Sequence, residues 1–162
     1  MTNKRKKVAI VMGSQSDYSI MKKCEEILKT LKIKYETKII SAHRTPDRMF
    51  EFAKNATKNN FAVIVAGAGG AAHLPGMIAS MSILPIIGVP IETKKLEGLD
   101  SLLSIVQMPK GIPVGTVAIG ENGAFNAGLL AASIIALFDD KTKKNLEKWR
   151  RLQTIAIKKK PN

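Results

Sequence analysis

Short runs of β-branched and other apolar residues alternate along the chain with segments whose apolar positions recur every third or fourth residue. Val8–Met12, Glu36–Ser41, Ala62–Ala66, Pro85–Val89 and Val114–Ala118 predict five strands. Their near-continuous apolarity suits strands covered on both faces, as in a parallel sheet. Between the first two, Ile20, Met21, Cys24, Ile27, Leu28 and Leu31 mark one face of an amphipathic helix. Ser16 is its expected N-cap, and Asp17 suits the positive helix end. A second helix is expected from Thr45-Pro46, a cap followed by proline at the first helical position, to about Asn60, with Met49, Phe50, Ala53 and Ala56 inward. Further helices are expected from near His73, from near Asp100 and over about Asn122–Phe138. Repeated βαβ units with right-handed crossovers predict an α/β fold: a three-layer αβα sandwich around a five-stranded parallel sheet.

The last segment, Lys141–Ile157, reads differently. Leu146, Trp149, Leu152 and Ile155 form a narrow apolar stripe on an otherwise basic helix. The stripe needs a partner, either the chain's own body or, for an arm that follows a finished five-stranded unit, another subunit. The expected organisation is a basic tail over residues 1–7, one domain over 8–138, and an amphipathic helix with a basic tail over 139–162.

Composition narrows the class. At 162 residues, 45% hydrophobic and 24% charged, the chain suits one globular domain rather than a disordered or fibrous one. A single cysteine, Cys24, allows no internal disulfide, and two histidines with that thiol are too few for a typical structural zinc site, so a reducing cytoplasm is expected and no metal. The longest apolar run, Ala124–Phe138, is interrupted by Asn126 and falls short of the roughly 20 residues of a membrane span. Met1–Lys7 is polar and leads straight into a strand, so no signal peptide is expected. The net charge of +13 raises a nucleic-acid reading. Residues 1–7 carry four basic groups and no acid, and residues 139–162 carry nine basic and three acidic, which leaves only +3 for the body. Without interleaved aromatics for base stacking, no nucleic-acid partner is expected.

Ligands of open parallel sheets bind beyond the carboxyl ends of the strands, where strand order reverses. Three loops at those ends stand out: Gly13-Ser14-Gln15-Ser16-Asp17, Ser41-Ala42-His43-Arg44-Thr45-Pro46, and the run Gly67–Gly76. With strand order 2-1-3-4-5 they are neighbours and build one pocket. The first opens a helix, so its backbone N–H groups and hydroxyls can cradle an anion; it is neither a Walker loop nor G-x-G-x-x-G. Asp17 beside such a site suits ribose hydroxyls, which together suggest a sugar phosphate. In the second loop Arg44 offers a planar fork for phosphate oxygens, and the adjacent His43 imidazole can both give and take a proton. A plain surface His-Arg pair is the competing reading. Against it, the chain's only two histidines fall in two of these loops. In the third loop Gly67, Gly69, Gly70 and Gly76, with Ala68, Ala71 and Ala72 between them, let backbone approach a planar ligand and make an apolar, dry wall. His73 is expected to start a helix and hydrogen-bond to backbone rather than act in general catalysis. Proton transfer unaided by metal or redox groups is the chemistry these residues suit.

The motifs GS-x-SD (Gly13–Asp17), SAHRTP (Ser41–Pro46), AGAGGAAHLPGM (Ala66–Met77) and SIVQMP-x-GIPVGT (Ser104–Thr116) closely resemble those of the N5-carboxyaminoimidazole ribonucleotide mutase family, the catalytic subunit or domain of phosphoribosylaminoimidazole carboxylase. The match spans about Val8 to Trp149. The resemblance implies a flavodoxin-like fold assembled as a homo-octamer, with the C-terminal helix reaching a neighbour. It implies an isomerase of purine biosynthesis that needs no cofactor and moves a carboxylate from the exocyclic N5 of a ribonucleotide to ring carbon C4. By position, it implies that Ser14 and Arg44 bind phosphate with Ser16 and Ser41 nearby, that Asp17 binds ribose, and that His43 is the general acid/base. Ala68, Gly69, His73 and Leu74 would line the ring and carboxylate pocket. Three rivals stay open: a carbon dioxide-dependent carboxylase using nearly the same site, a non-catalytic nucleotide- or flavin-binding module, and a basic nucleic-acid binder.

Overall fold

A computed structural model describes residues 6–161. Five strands, β1 (Lys7–Met12), β2 (Tyr35–Ile39), β3 (Phe61–Gly69), β4 (Ile86–Ile91) and β5 (Gly115–Thr116), form one parallel sheet in the order β2-β1-β3-β4-β5. Helices α1 (Tyr18–Thr30), α2 (Pro46–Asn55), α3 (Leu74–Ala79), α4 (Leu99–Val106), α5 (Gly120–Ala136) and α6 (Asp140–Ala156) surround it. The order reverses beside β1, which places the loops after β1, β2 and β3 next to one another.

The two-residue period of β1 divides the core. Val8, Ile10 and Met12 face α1 and α5 with Met21, Ile27, Leu28 and Ala131. Ala9 and Val11 face the other layer, where Met49, Phe52, Leu74, Ile78 and Ile105 pack. This is the flavodoxin-like three-layer sandwich. Cys24 is fully buried within the first layer, and burial pushes its thiol pKa up. No described helix is long and apolar enough to cross a membrane.

Several boundaries differ from expectation. β3 runs on through Gly69, so residues read as loop are the strand's own carboxyl end. β5 is only two residues long, and β2 ends at Ile39. α2 stops at Asn55, and Phe50 lies outward with Lys54 Nζ 4.1 Å from its ring centroid. Phe52 is the inward ring, because positions 49, 52, 53 and 56 share one helical face.

The C-terminal stripe divides between two environments. In α6, Leu146 is buried, Trp149 lies against Phe125 at 6.1 Å between centroids, and Asn145 Nδ2 donates to Leu31 O at 2.9 Å. Farther along, Leu152 and Ile155 are 53% and 67% exposed. Asp139 caps the helix by accepting from Thr142 N at 2.6 Å. The Thr142 hydroxyl is buried without a hydrogen-bond partner. Thr142→Val keeps the shape and the cap while removing that desolvated hydroxyl, so stability should rise by about 1 kcal/mol, roughly 2–4 °C in Tm. A lower melting temperature would show that the hydroxyl is satisfied in solution.

Candidate active site

A glycine-serine turn, a His-Arg turn and a glycine-rich strand end meet at the carboxyl edge of the sheet around an open cleft of about 440 Å³. That volume lies in the range of small-ligand sites. Gly13, Ser14, Ser16 and Asp17 line it from the loop after β1; Ser41, Ala42, His43 and Arg44 from the loop after β2; Ala68, Gly69, Ala71, His73 and Leu74 from β3 and the start of α3. All ten residues singled out from the sequence face this cleft.

Local hydrogen bonds explain the shape of each loop. Gln15–Asp17 form a 3₁₀ turn capped by Ser14, whose Oγ accepts from Ser16 N at 3.4 Å, while Asp17 N donates to Ser14 O at 3.2 Å. Ser14 caps this turn, while α1 begins after Asp17 without the side-chain cap expected from Ser16, and these two N–H groups are already engaged. In the second loop the Thr45 hydroxyl accepts from Ser41 N at 2.9 Å and donates to Ser41 O at 3.0 Å. It closes the turn instead of capping α2. Arg44 donates from N and Nε to Ser41 Oγ at 3.2 and 3.3 Å, and from Nη2 to Gly13 O at 2.9 Å. Its guanidinium thus ties the second loop to the first and lies at the cleft.

The histidines depart most from expectation. His73 stands before α3 but makes no side-chain cap. Its Nδ1 lies 2.9 Å from His43 Nε2, with the rings 85° apart. One ring must donate and the other accept, so each sets the other's tautomer. The wall also differs from the dry one expected. Ala68, Ala72 and Leu74 are buried, yet Gly69, Ala71, His43, Arg44 and His73 are open to solvent in a single chain.

A family model described as AIR carboxylase matches residues 7–155. The chain belongs to the AIR carboxylase family. It is 56% identical to the N5-carboxyaminoimidazole ribonucleotide mutase of Brucella melitensis, covering 96% of each chain. It is 52% identical to the Escherichia coli K12 protein of that name, over 99% of this chain and 95% of the other. The Bacillus subtilis protein of that name is 57% identical over 88% of each. Among solved structures, Treponema denticola PurE superposes with a TM-score of 0.84 at 28% identity, covering 93% of this chain and 92% of that one.

In this AIR carboxylase family member the cleft has a fourth side that sequence reasoning missed. Ile91, Glu92 and Thr93, at the end of β4, also line it. The rule that ligands sit beyond strand carboxyl ends covers this loop too. It lacks the glycine, histidine and arginine signals that drew attention to the others. Among the described residues no group of three or more His, Cys, Asp and Glu side chains is arranged to hold a metal ion.

Asp17 is half-buried, and burial raises its carboxyl pKa above the ordinary value despite opposing hydrogen bonds, led by that from Ser16, and the charge of Arg44. A raised folded-state pKa contributes stability below the unfolded value that is lost as pH rises through the folded one. Asp17→Asn, which cannot ionise, should therefore be more stable than the parent at pH 7. That advantage should shrink as pH falls through the carboxylate range. Urea unfolding at several pH values checks the sign, and a constant or reversed difference would contradict it.

Proposed function

We propose that this chain is an isomerase of purine biosynthesis, converting N5-carboxyaminoimidazole ribonucleotide to the 4-carboxy-5-aminoimidazole ribonucleotide. The observation that carries this reading is the meeting of His43, Arg44 and the Ser14–Asp17 turn in one cleft walled by Ala68 and Gly69, in a chain whose 52–57% identical relatives bear the mutase name. Arg44 and Ser14 hold the phosphate, with Ser16 and Ser41 beside them, and Asp17 accepts from the ribose hydroxyls. Ala68, Gly69, His73 and Leu74 face the ring and its carboxylate.

The reaction then follows from ordinary chemistry. A carbamate breaks to carbon dioxide and an amine once its nitrogen takes a proton, and loss of water around its charge favours that step. Held beside the electron-rich C4, the carbon dioxide is captured in an effectively unimolecular step, forming the new carbon–carbon bond. C4 then gives up its proton and the ring regains aromaticity. One proton is delivered to N5 and one is recovered from C4, so His43 serves both transfers and ends as it began. His73, paired with it, sets which ring nitrogen carries the hydrogen.

The cleft closes in an assembly. A single chain exposes Leu96, Leu99, Leu103 and Val106 along and before α4, and Leu152 and Ile155 on α6. Together with the open rim, these surfaces support a homo-octamer in which 139–162 is an arm on the catalytic unit 8–138. The enzyme works in the cytoplasm without cofactor, metal, nucleic acid or membrane.

Supplying the purified protein with N5-carboxyaminoimidazole ribonucleotide, and separately with aminoimidazole ribonucleotide plus bicarbonate, tests this reading. Product from the first substrate without added bicarbonate is expected. Product only from the second would make the chain a carboxylase, and none from either would leave a binding module. Arg44→Lys should raise KM about 10- to 100-fold with a smaller change in kcat, because one ammonium cannot reproduce a two-pronged phosphate contact. An unchanged KM would remove Arg44 from phosphate binding.

A further inference from the structure

Two buried or half-buried serines outside the cleft hold its glycine wall by a single residue. Gly70 follows β3 with φ +69°, and a Cβ there would meet nothing within 4 Å, so glycine is required by conformation rather than by space. Both of its peptide groups are tied to α4. Its N–H donates to Ser101 Oγ at 2.9 Å, and its carbonyl lies 3.1 Å from Ser104 Oγ, whose single proton is shared with Asp100 O at 2.7 Å. Ser101 is fully buried and donates its own proton to Ile91 O at 2.7 Å, so one oxygen joins the end of β4 to the loop after β3. The Gly70 carbonyl also accepts from Ala72 N at 2.8 Å, and His73 N donates to Ala71 O at 2.9 Å. The path from Gly70 to the His73 ring is therefore short and bonded throughout. Asp100 completes the arrangement, its Oδ1 accepting from Thr93 Oγ1 at 2.9 Å and Ser101 N at 3.0 Å. Cleft-lining positions on both sides of Gly70, and Ile91 and Thr93 opposite, thus take their places from the first turns of α4.

We propose that Ser101 and Ser104 are positioning residues: by latching Gly70 they hold the Gly69–His73 wall against the cleft during the interval when carbon dioxide has left N5 and has not yet bonded to C4. This rests on the mutase reading above. The serines touch neither substrate nor reacting atoms. They govern the choice between recapture, which completes isomerisation, and escape, which leaves aminoimidazole ribonucleotide and free carbon dioxide. Recapture returns one proton from C4 to His43, whereas escape leaves that proton on N5 and His43 takes its replacement from solvent; neither branch needs an oxidant or reductant.

The test measures that choice directly. The full chain and its Ser101→Ala, Ser104→Ala and Ser104→Thr variants are given N5-carboxyaminoimidazole ribonucleotide in ¹³C-bicarbonate buffer, and uncatalysed decay is subtracted. Released aminoimidazole ribonucleotide per product formed, and ¹³C in the product, are expected to rise about tenfold or more in Ser101→Ala, which loses its bonds to Gly70 N and Ile91 O, and about threefold in Ser104→Ala, which loses the shared contact to Gly70 O. KM should move little, and Ser104→Thr, which keeps the hydroxyl, should restore the parent's ratio. Ile33→Val, a buried change outside the cleft, controls for lost stability and should leave the ratio alone. If the alanine variants lose only melting temperature or kcat with an unchanged ratio, or if the parent already exchanges its carboxylate fully with solvent, the latch is overturned. If Ser101→Ala does not fold, the half-buried Ser104 pair still decides. No conversion by the parent would sink the mutase reading itself, a distinct failure.

Discussion

His43→Asn should lower kcat by at least about 10³-fold, the upper part of the range for losing a general acid/base, while the ribonucleotide still binds. Asparagine keeps a hydrogen-bonding group near His73, 2.9 Å from the imidazole it replaces, but cannot exchange a proton near neutral pH. The phosphate and ribose contacts assigned to Ser14, Arg44 and Asp17 are untouched, so equilibrium dialysis with substrate should give a Kd close to the parent's. His43 is exposed and the melting temperature should hold. Turnover at the parent's rate would end the assignment of His43, and strong loss of binding with normal kcat would reassign it to substrate recognition. Both transfers are assigned to one group, so the two half-reactions should slow together.

The largest stability effect is expected at Gly123, in the first turn of α5. An added Cβ would lie 1.6 Å from Ala118 O and 2.6 Å from Ala118 C, both backbone atoms that no rotamer change can move. Helix propensity alone favours alanine over glycine by about 1 kcal/mol. Overpacking against main chain opposes this, and relieving it must shift either α5 or the segment leaving β5. Gly123→Ala is therefore expected to destabilise by about 3 kcal/mol or more, roughly 6–12 °C in Tm. A rise in melting temperature would mean that local propensity outweighs the close approach. Gly128 makes a similar approach one helical face farther on, its Cβ position 2.4 Å from Ile27 Cγ2, and explains how α1 and α5 pack so closely.

How far the chain could be read beforehand depended on whether a signal was local. Strands β1, β3 and β4 were legible because both faces are buried and their residues, Lys7 apart, are apolar. β5 is two residues long and held mainly by its neighbour, so apolar character over 114–118 overstated it. Phe50 and Phe52 are equally apolar, and choosing between them required the phase of α2 against Met49 and Ala53. The three loops were legible because glycine, histidine and arginine concentrate there. Glu92 and Thr93 carry no such mark and join the cleft only through their place at the end of β4.

The His43–His73 pair, the Arg44 bond to Gly13 and the serine grip on Gly70 span about 30 residues of chain each. Spacing along a sequence does not encode such partners. The sequence by itself determined the alternation of strands and helices, the layers they form and the family, because hydrophobic period and contiguous motifs are properties of neighbouring residues. Only the tertiary structure decided which imidazole faces which, which loop each guanidinium nitrogen ties down and how α4 holds the wall, because directional bonds between distant segments exist only once the sheet has set their positions.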